Sequence, residues 1–188
     1  QAIANIVYLG AAVPVFGPIT PRHGKWYSTE IPAYPYDPAK ARRLLAASGL
    51  SDRHGNGQLE DAAGAPVRFS VLVQKDATIR ERTVALLQEQ FRALGVSLDV
   101  VGLDLGSIGK RWFAGDYDSI FHGFQASATD PAMNLDLWLS SGNSHFWNPG
   151  QARPATEWEA RIDDLMRQQV QAQDPAERQR LFLEAQRV

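Results

Sequence analysis

The segment Gly123-Phe124-Gln125-Ala126-Ser127-Ala128-Thr129-Asp130-Pro131 places a lone carboxylate on a loop just before a proline. A carboxylate in that setting can meet the ammonium group of a ligand through a charge-assisted hydrogen bond. The same Asp-Pro pair also reads as the N-cap and first position of a helix. The two roles coexist only in part, because a capping carboxylate gives an oxygen to backbone N–H groups. Further along, Trp138, Phe146 and Trp147 can either line a cleft with Phe124 or fill a core. His145 and Asn148 stand in a loop beside Trp147, where polar side chains can reach a ligand or simply face water.

Other clusters are weaker. Asp52-Arg53-His54-Gly55-Asn56-Gly57 partly follows a calcium loop. However, His54 stands where an oxygen ligand belongs, and Ala63 takes the place of the bidentate glutamate. A turn built by Asp and Asn side chains accounts for the same residues without a metal. His23, His54, His122 and His145 are dispersed and there is no cysteine, so no zinc ligand set emerges. The carboxylate pairs Glu60-Asp61 and Asp163-Asp164 are adjacent in sequence and point different ways on a helix or strand, so they read as solvated faces. No nucleophile elbow, phosphate-cradling glycine loop or dinucleotide fingerprint is present. The reading is therefore of a protein that is not an enzyme, with no cofactor and no metal.

Composition narrows the partners. With 19 basic and 21 acidic side chains interspersed for a net charge of -2, no positive stripe is available for a phosphate backbone, and nucleic acid is excluded as a partner. No apolar run approaches the ~20 residues that span a bilayer, and the N-terminus does not read as a signal peptide. The hydrophobic fraction of 44% over 188 residues suits one domain with a real core.

The elements that must position these residues alternate between helix and strand. Residues 1–10 read as the back part of a helix, and the helix started by Asp174-Pro175 is still running at Val188, so the sequence predicts a single domain over 1–188 truncated at both ends. Residues 11–36 form an irregular connection packed by Phe16, Trp26, Tyr27, Tyr34 and Tyr36. Asp37-Pro38 caps a helix with Ala41, Leu44, Leu45 and Ala47 on one face, ended by Gly49. Val67, Phe69, Val71 and Val73 alternate as a half-buried strand. A helix near 79–94 buries Val84, Leu87, Phe91 and Leu94, and Val96, Leu98 and Val100 make the next strand. Strand, helix and strand joined in this way predict a parallel pair. A short helix near 105–112 and a third strand at 119–121 follow, which places the loop of Asp130 beyond a strand's carboxyl end, where open α/β sheets bind ligands.

On these residues the chain resembles the C-terminal lobe of the extracellular solute-binding proteins of the dipeptide and oligopeptide-binding family (family 5) of ABC importers. The resemblance runs over nearly the whole chain. It is carried by Val13-Pro14 and Gly17-Pro18, by Tyr36-Asp37-Pro38-Ala39-Lys40-Ala41 with Leu44-Leu45 and Gly49, and by the polar loop Asp52–Asp61. It continues through Phe91 with Leu94-Gly95-Val96, Trp138-Leu139-Ser140-Ser141-Gly142, Asn148-Pro149, and Glu177-Arg178 with Glu184-Ala185-Gln186. The chain departs from the family at Phe124, where Trp is common, and at Gln151–Thr156, which look like extra residues.

The resemblance implies an α/β fold with a mixed sheet flanked by helices, forming the second lobe of a two-lobed, hinged periplasmic-binding-protein-like structure. It implies a substrate-binding component that captures a peptide or similar small solute between lobes and delivers it to ABC importer permease subunits. The setting would be periplasmic or extracellular, and membrane-associated only through the transporter. Asp130 would hold a peptide's amino terminus, with Phe124, Gln125, His145, Trp147 and Asn148 as further ligand-binding candidates. A sensory or protein-binding ectodomain using the same lobe is the alternative, and a hydrolase a more remote one.

Overall fold

The computed structural model describes residues 2–123, 129–145, 147–148 and 151–188. The chain divides into two compact units: Gln1–Pro14, Pro35–Arg111 and Asp116–His122 form the first, and Val15–Tyr34, Trp112–Gly115 and Gly123–Val188 the second.

The first unit is built on strand β1 (Arg68–Gln74), helix α2 (Thr78–Arg92) and strand β2 (Ser97–Leu103), preceded by helix α1 (Pro38–Ala47). Helix α3 (Leu105–Phe113) and strand β3 (Ser119–Phe121) follow. The three-stranded sheet has the order β2-β1-β3, with Val71 opposite both Val100 and Ser119 in parallel register. The expected crossover and third strand are therefore present. Antiparallel pairing is limited to isolated bridges, Ser51 with Glu60 and Glu60 with Pro66.

At its centre β1 is buried on both faces rather than on one. Val71 and Val73 pack with Val84 and Leu98, flanked by Phe69, Leu87, Phe91 and Phe121, while Leu72 points to the opposite face and is also fully buried. Phe69 and Phe91 meet edge to face at 5.2 Å. Each such side chain contributes on the order of 1.5–3 kcal/mol through burial.

Helix α2 ends at a close approach. Gly95 has φ +81°, and a Cβ there would lie 2.8 Å from Leu59 Cγ. Gln58 fastens this corner, donating from Nε2 to the carbonyls of Val67 and Gly95 at 3.0 and 2.9 Å and accepting from Ser97 Oγ at 2.8 Å.

Other details of this unit go beyond the sequence pattern. Residues 3–7 form a single π-helical turn with Ala4 and Val7 buried, while Ile6 and Leu9 are exposed. Helix α1 forms as expected, with Asp37 Oδ1 accepting from the Lys40 N–H at 2.8 Å, yet none of its residues is buried. Glu60-Asp61 is not a solvated face: Glu60 is buried and joined to His54 at 2.8 Å, and Asp61 Oδ1 accepts from the Ala63 and Ala65 N–H groups. The calcium-like segment is a turn, with Asp52 accepting from Asn56 N and Gly57 N at 3.1 and 2.8 Å. Among the described residues no group of three or more His, Asp or Glu could hold a metal.

The second unit is helical. It contains the short helix α4 (Leu135–Trp138) and the longer α5 (Glu157–Gln171) and α6 (Pro175–Ala185), which pack against each other. Its core joins Ile19, Trp26, Trp138, Leu165, Met166, Leu181, Phe182 and Ala185. Phe182 is completely buried and meets Trp138 and Trp26 edge to face, at 5.1 and 6.0 Å. Of the five aromatics expected to pack residues 11–36, Trp26 is buried and Tyr27 packs beside this core, while Phe16, Tyr34 and Tyr36 are exposed.

Candidate functional site

The candidate side chains in the second unit depend on how α5 holds the segment before it. Asp130 caps a 3-10 turn, Pro131–Asn134, accepting at Oδ1 from the Ala132 N–H at 3.0 Å, and α4 follows directly. After α4 the chain reverses. Asp136 Oδ1 and Oδ2 accept from the Asn143 and Ser144 N–H groups at 2.8 and 2.9 Å, which holds its carboxyl below the usual range. This turn requires Gly142, since a Cβ there would lie 2.0 Å from the Asp136 carbonyl oxygen. The turn is fastened to α5 through Asp163, whose Oδ1 accepts from Ser140 N at 2.7 Å and Ser140 Oγ at 3.0 Å and whose Oδ2 accepts from Arg167 at 3.0 Å. Asp163 is thus buried, a correction to its reading as part of a solvated pair, whereas Asp164 is exposed and pairs with Arg161. The difference arises because residues one apart on a helix face different ways.

The turn delivers His145 and Trp147 over the first turn of α5. His145 is 1% exposed and sits under the half-exposed Trp147, their ring centroids 3.9 Å apart. Its Nε2 lies 3.6 Å from Glu159 Oε1, and neither ring nitrogen has a hydrogen-bond partner. Glu159 is itself buried and closes a capping box with Thr156. Its Oε2 accepts from the Ala155 and Thr156 N–H groups at 2.8 and 3.0 Å and from Gln151 at 3.2 Å. Gln151 in turn accepts from Asn148 Nδ2 at 2.8 Å. Burial alone would raise the Glu159 pKa, but the hydrogen bonds from Ala155, Gln151 and Thr156 hold it down at about 2.

That depression has a consequence for acid stability. A group whose folded pKa lies below its unfolded value of 4.5 contributes stability above that value and loses it as pH falls toward about 2. Glu159→Gln should therefore lower the melting temperature near neutral pH, and the gap to wild type should close as pH falls through this window. A gap that stays constant with pH would contradict the assigned hydrogen bonding.

The structure brings His145, Trp147 and Asn148 into one cluster. His145 supports Trp147 from beneath rather than facing outward, and Asn148 is exposed and bonded to Gln151. Asp130 belongs to the other end of α5, where it meets Gln169; the ten residues from Glu159 to Gln169 span about 15 Å of helix. Phe124 and Gln125 lie outside the described residues. Sequence reasoning missed Ser140, Asp163, Glu159 and Arg178. Of these only Glu159 carries a local signal, the Thr156-x-x-Glu159 pattern.

Chemically, the cluster offers an exposed indole packed on a buried imidazole. Ser140 Oγ is fully buried against Asp163, so it does not present an accessible nucleophile.

Residues 1–146, more than half of the 188, match the bacterial extracellular solute-binding proteins, family 5 Middle. The chain belongs to that family. It is a family of extracellular substrate-binding proteins, and among the described residues no helix of this member is long and apolar enough to cross a membrane. The glutathione-binding protein GsiB of Escherichia coli K12 is 25% identical over 192 residues, covering 98% of this chain and 34% of that protein. The chain thus spans about a third of the length of the curated relatives it matches.

Family 5 structures share its fold. NikZ from Campylobacter jejuni, solved in complex with Ni(L-His), superposes over 99% of this chain and 36% of its own with a TM-score of 0.78 at 22% identity. The oligopeptide-binding protein AppA from Bacillus subtilis, solved with a nonapeptide, does so over 99% and 37% with a TM-score of 0.76 at 20% identity. The α/β fold expected from sequence is the fold found, although the sheet among the described residues is parallel throughout where a mixed one was expected.

Proposed function

We propose that this chain is the second lobe of the substrate-binding component of an ABC importer, and that both compact units belong to that lobe. The whole protein would capture a peptide or similar small solute in an interlobe cleft and deliver it to membrane permease subunits, outside the cytoplasm. The observation that carries this reading is the match of residues 1–146 to the family 5 solute-binding proteins. The relatives' ligands, glutathione for GsiB and a nonapeptide for AppA, support a peptide-like solute.

Trp147 and Asn148 are the ligand contacts on this lobe that geometry favours. An exposed indole that already packs on the buried His145 ring has less side-chain freedom to lose on stacking against a ligand. Phe124 and Gln125 belong to the proposal by resemblance alone. The protein works by hinged closure rather than catalysis, and the closed state is what the permease recognises.

Cross-linking the intact, ligand-saturated protein in membranes that carry candidate permeases tests this reading. Cross-links to an ABC permease that strengthen with ligand are expected. Cross-links to a kinase-type receptor instead would favour the sensory alternative, and hydrolysis of an added peptide mixture would favour the enzyme.

A further inference from the structure

Both carboxylate oxygens of Asp130 are already engaged within the second unit. Oδ1 accepts from the Ala132 N–H at 3.0 Å and from Gln169 Nε2 at 2.7 Å, and Oδ2 accepts from Arg178 Nε at 2.9 Å. Arg178 is anchored on its other side too, since Nη1 donates to the carbonyls of Gln169 and Ala172 at 2.9 and 3.0 Å. Those carbonyls belong to the last turn of α5 and its C-cap, where the terminal acceptors have no partner within the helix. A cation there satisfies them and meets the negative end of the helix dipole. One guanidinium therefore closes the C-terminus of α5 from the first turn of α6 and simultaneously binds the residue that starts the Pro131–Asn134 turn. The pair is mostly withdrawn from solvent, with side-chain exposures of 19% for Arg178 and 29% for Asp130.

We infer that Asp130 is a positioning residue, the internal counter-ion of Arg178 that ties the loop leading into α4 to the α5–α6 connection, and not the partner of a ligand ammonium. This rests on the solute-binding reading and refines it, because recognition at this position then places no demand for a free amine on the ligand. The physical reason is charge balance. An ammonium approaching the remaining acceptor direction of Oδ2 would sit beside a guanidinium already bonded to that atom, and the two cations would repel. Displacing Arg178 instead would release the carbonyls it satisfies. Burial works to raise the Asp130 pKa, but the hydrogen bonds from Arg178, Gln169 and Ala132 and the charge of Arg178 outweigh it and hold the carboxyl below its usual range. An engaged, ionised carboxylate is what the clamp requires.

The test combines Asp130→Asn, Arg178→Gln and the double variant. Asn keeps an oxygen for the Ala132 N–H but removes the charge. In this chain each single change should lower the melting temperature by about 3 °C or more, roughly the shift that a loss of 1 kcal/mol produces at this size. The double variant should lose clearly less than the sum, as coupled neighbours do. Carbon-13 titration of the Asp130 carboxyl should move upward in Arg178→Gln. In the intact protein, Asp130→Asn should change the affinities for tri-alanine and N-acetyl-tri-alanine by the same factor. Additive melting shifts with an unmoved Asp130 titration would overturn the clamp. A thirtyfold or greater loss for tri-alanine with N-acetyl-tri-alanine unaffected would overturn the exclusion of the amine. Failure of the intact protein to bind either probe would count against a peptide ligand, while the melting cycle and the titration would still decide the clamp.

Discussion

Phe182→Ala is expected to destabilise the second unit by roughly 3–5 kcal/mol, the range found for removing a fully buried aromatic side chain. The size follows from its place. Phe182 is completely buried on α6 and presents its ring to the edges or faces of both Trp138 and Trp26, so its removal leaves a cavity between two large rigid rings that cannot collapse to fill it. Phe182→Leu, which keeps much of the volume, should cost considerably less. Urea unfolding followed by tryptophan fluorescence measures both, since Trp26 and Trp138 report directly on the site. A loss below about 1 kcal/mol for the alanine variant, more typical of a surface change, would mean that this cluster is not the core of the unit.

Gly142→Ala should be nearly as damaging for the opposite reason, an added methyl with nowhere to go. Its Cβ would stand 2.0 Å from the carbonyl oxygen of Asp136, 2.6 Å from the carbonyl carbon and 2.9 Å from Cα. These are backbone atoms, so no side-chain rotation relieves the contact and the whole reversal from α4 must open. The Asp136 bonds to the Asn143 and Ser144 N–H groups would be strained along with it. A cost of about 3 kcal/mol, the upper end of what overpacking usually produces, is expected. Because the same turn delivers His145 under Trp147, the near-ultraviolet circular dichroism of the folded variant should change as well. An unchanged spectrum together with wild-type stability would show that the turn does not approach Asp136 so closely.

The sequence makes some of this legible and leaves the rest hidden for identifiable reasons. The parallel β1-α2-β2 arrangement follows from local periodicity and the handedness of crossovers, and both are properties of a short window. The alternation of Val67, Phe69, Val71 and Val73 suggested a strand with one wet face, yet Leu72 is buried as deeply as its neighbours. Burial on the second face depends on what the rest of the fold lays over it, which no single strand's pattern reveals. Helix α1 shows the converse: periodicity identifies its apolar face but not what covers it, and no residue of α1 is buried.

The candidate site divides in the same way. Asp130-Pro131 is visible as a cap because capping is local, and the cap is found. Its decisive partners, Gln169 and Arg178, lie 39 and 48 residues further along, and no spacing rule connects them. Asp163 reads as solvated beside Asp164 because adjacent carboxylates point different ways and cannot act together, but only the fold determines that Ser140 comes to meet it. The sequence offers His145 as a loop residue that either reaches a ligand or faces water. The Glu159 capping box and the Gly142 turn place it beneath Trp147 instead, leaving the indole as the exposed group.

The central claim, that this chain supplies one lobe of a solute-capturing cleft, is tested most directly by calorimetric titration of the intact protein and of this chain alone. The panel should contain di- to nonapeptides, glutathione, oligosaccharides and a metal-histidine complex. The intact protein should bind at least one of these with micromolar or tighter affinity, about 8 kcal/mol, while this chain alone binds none more tightly than millimolar, about 4 kcal/mol. A micromolar ligand for the isolated chain, or an intact protein that binds no solute in the panel, would contradict it.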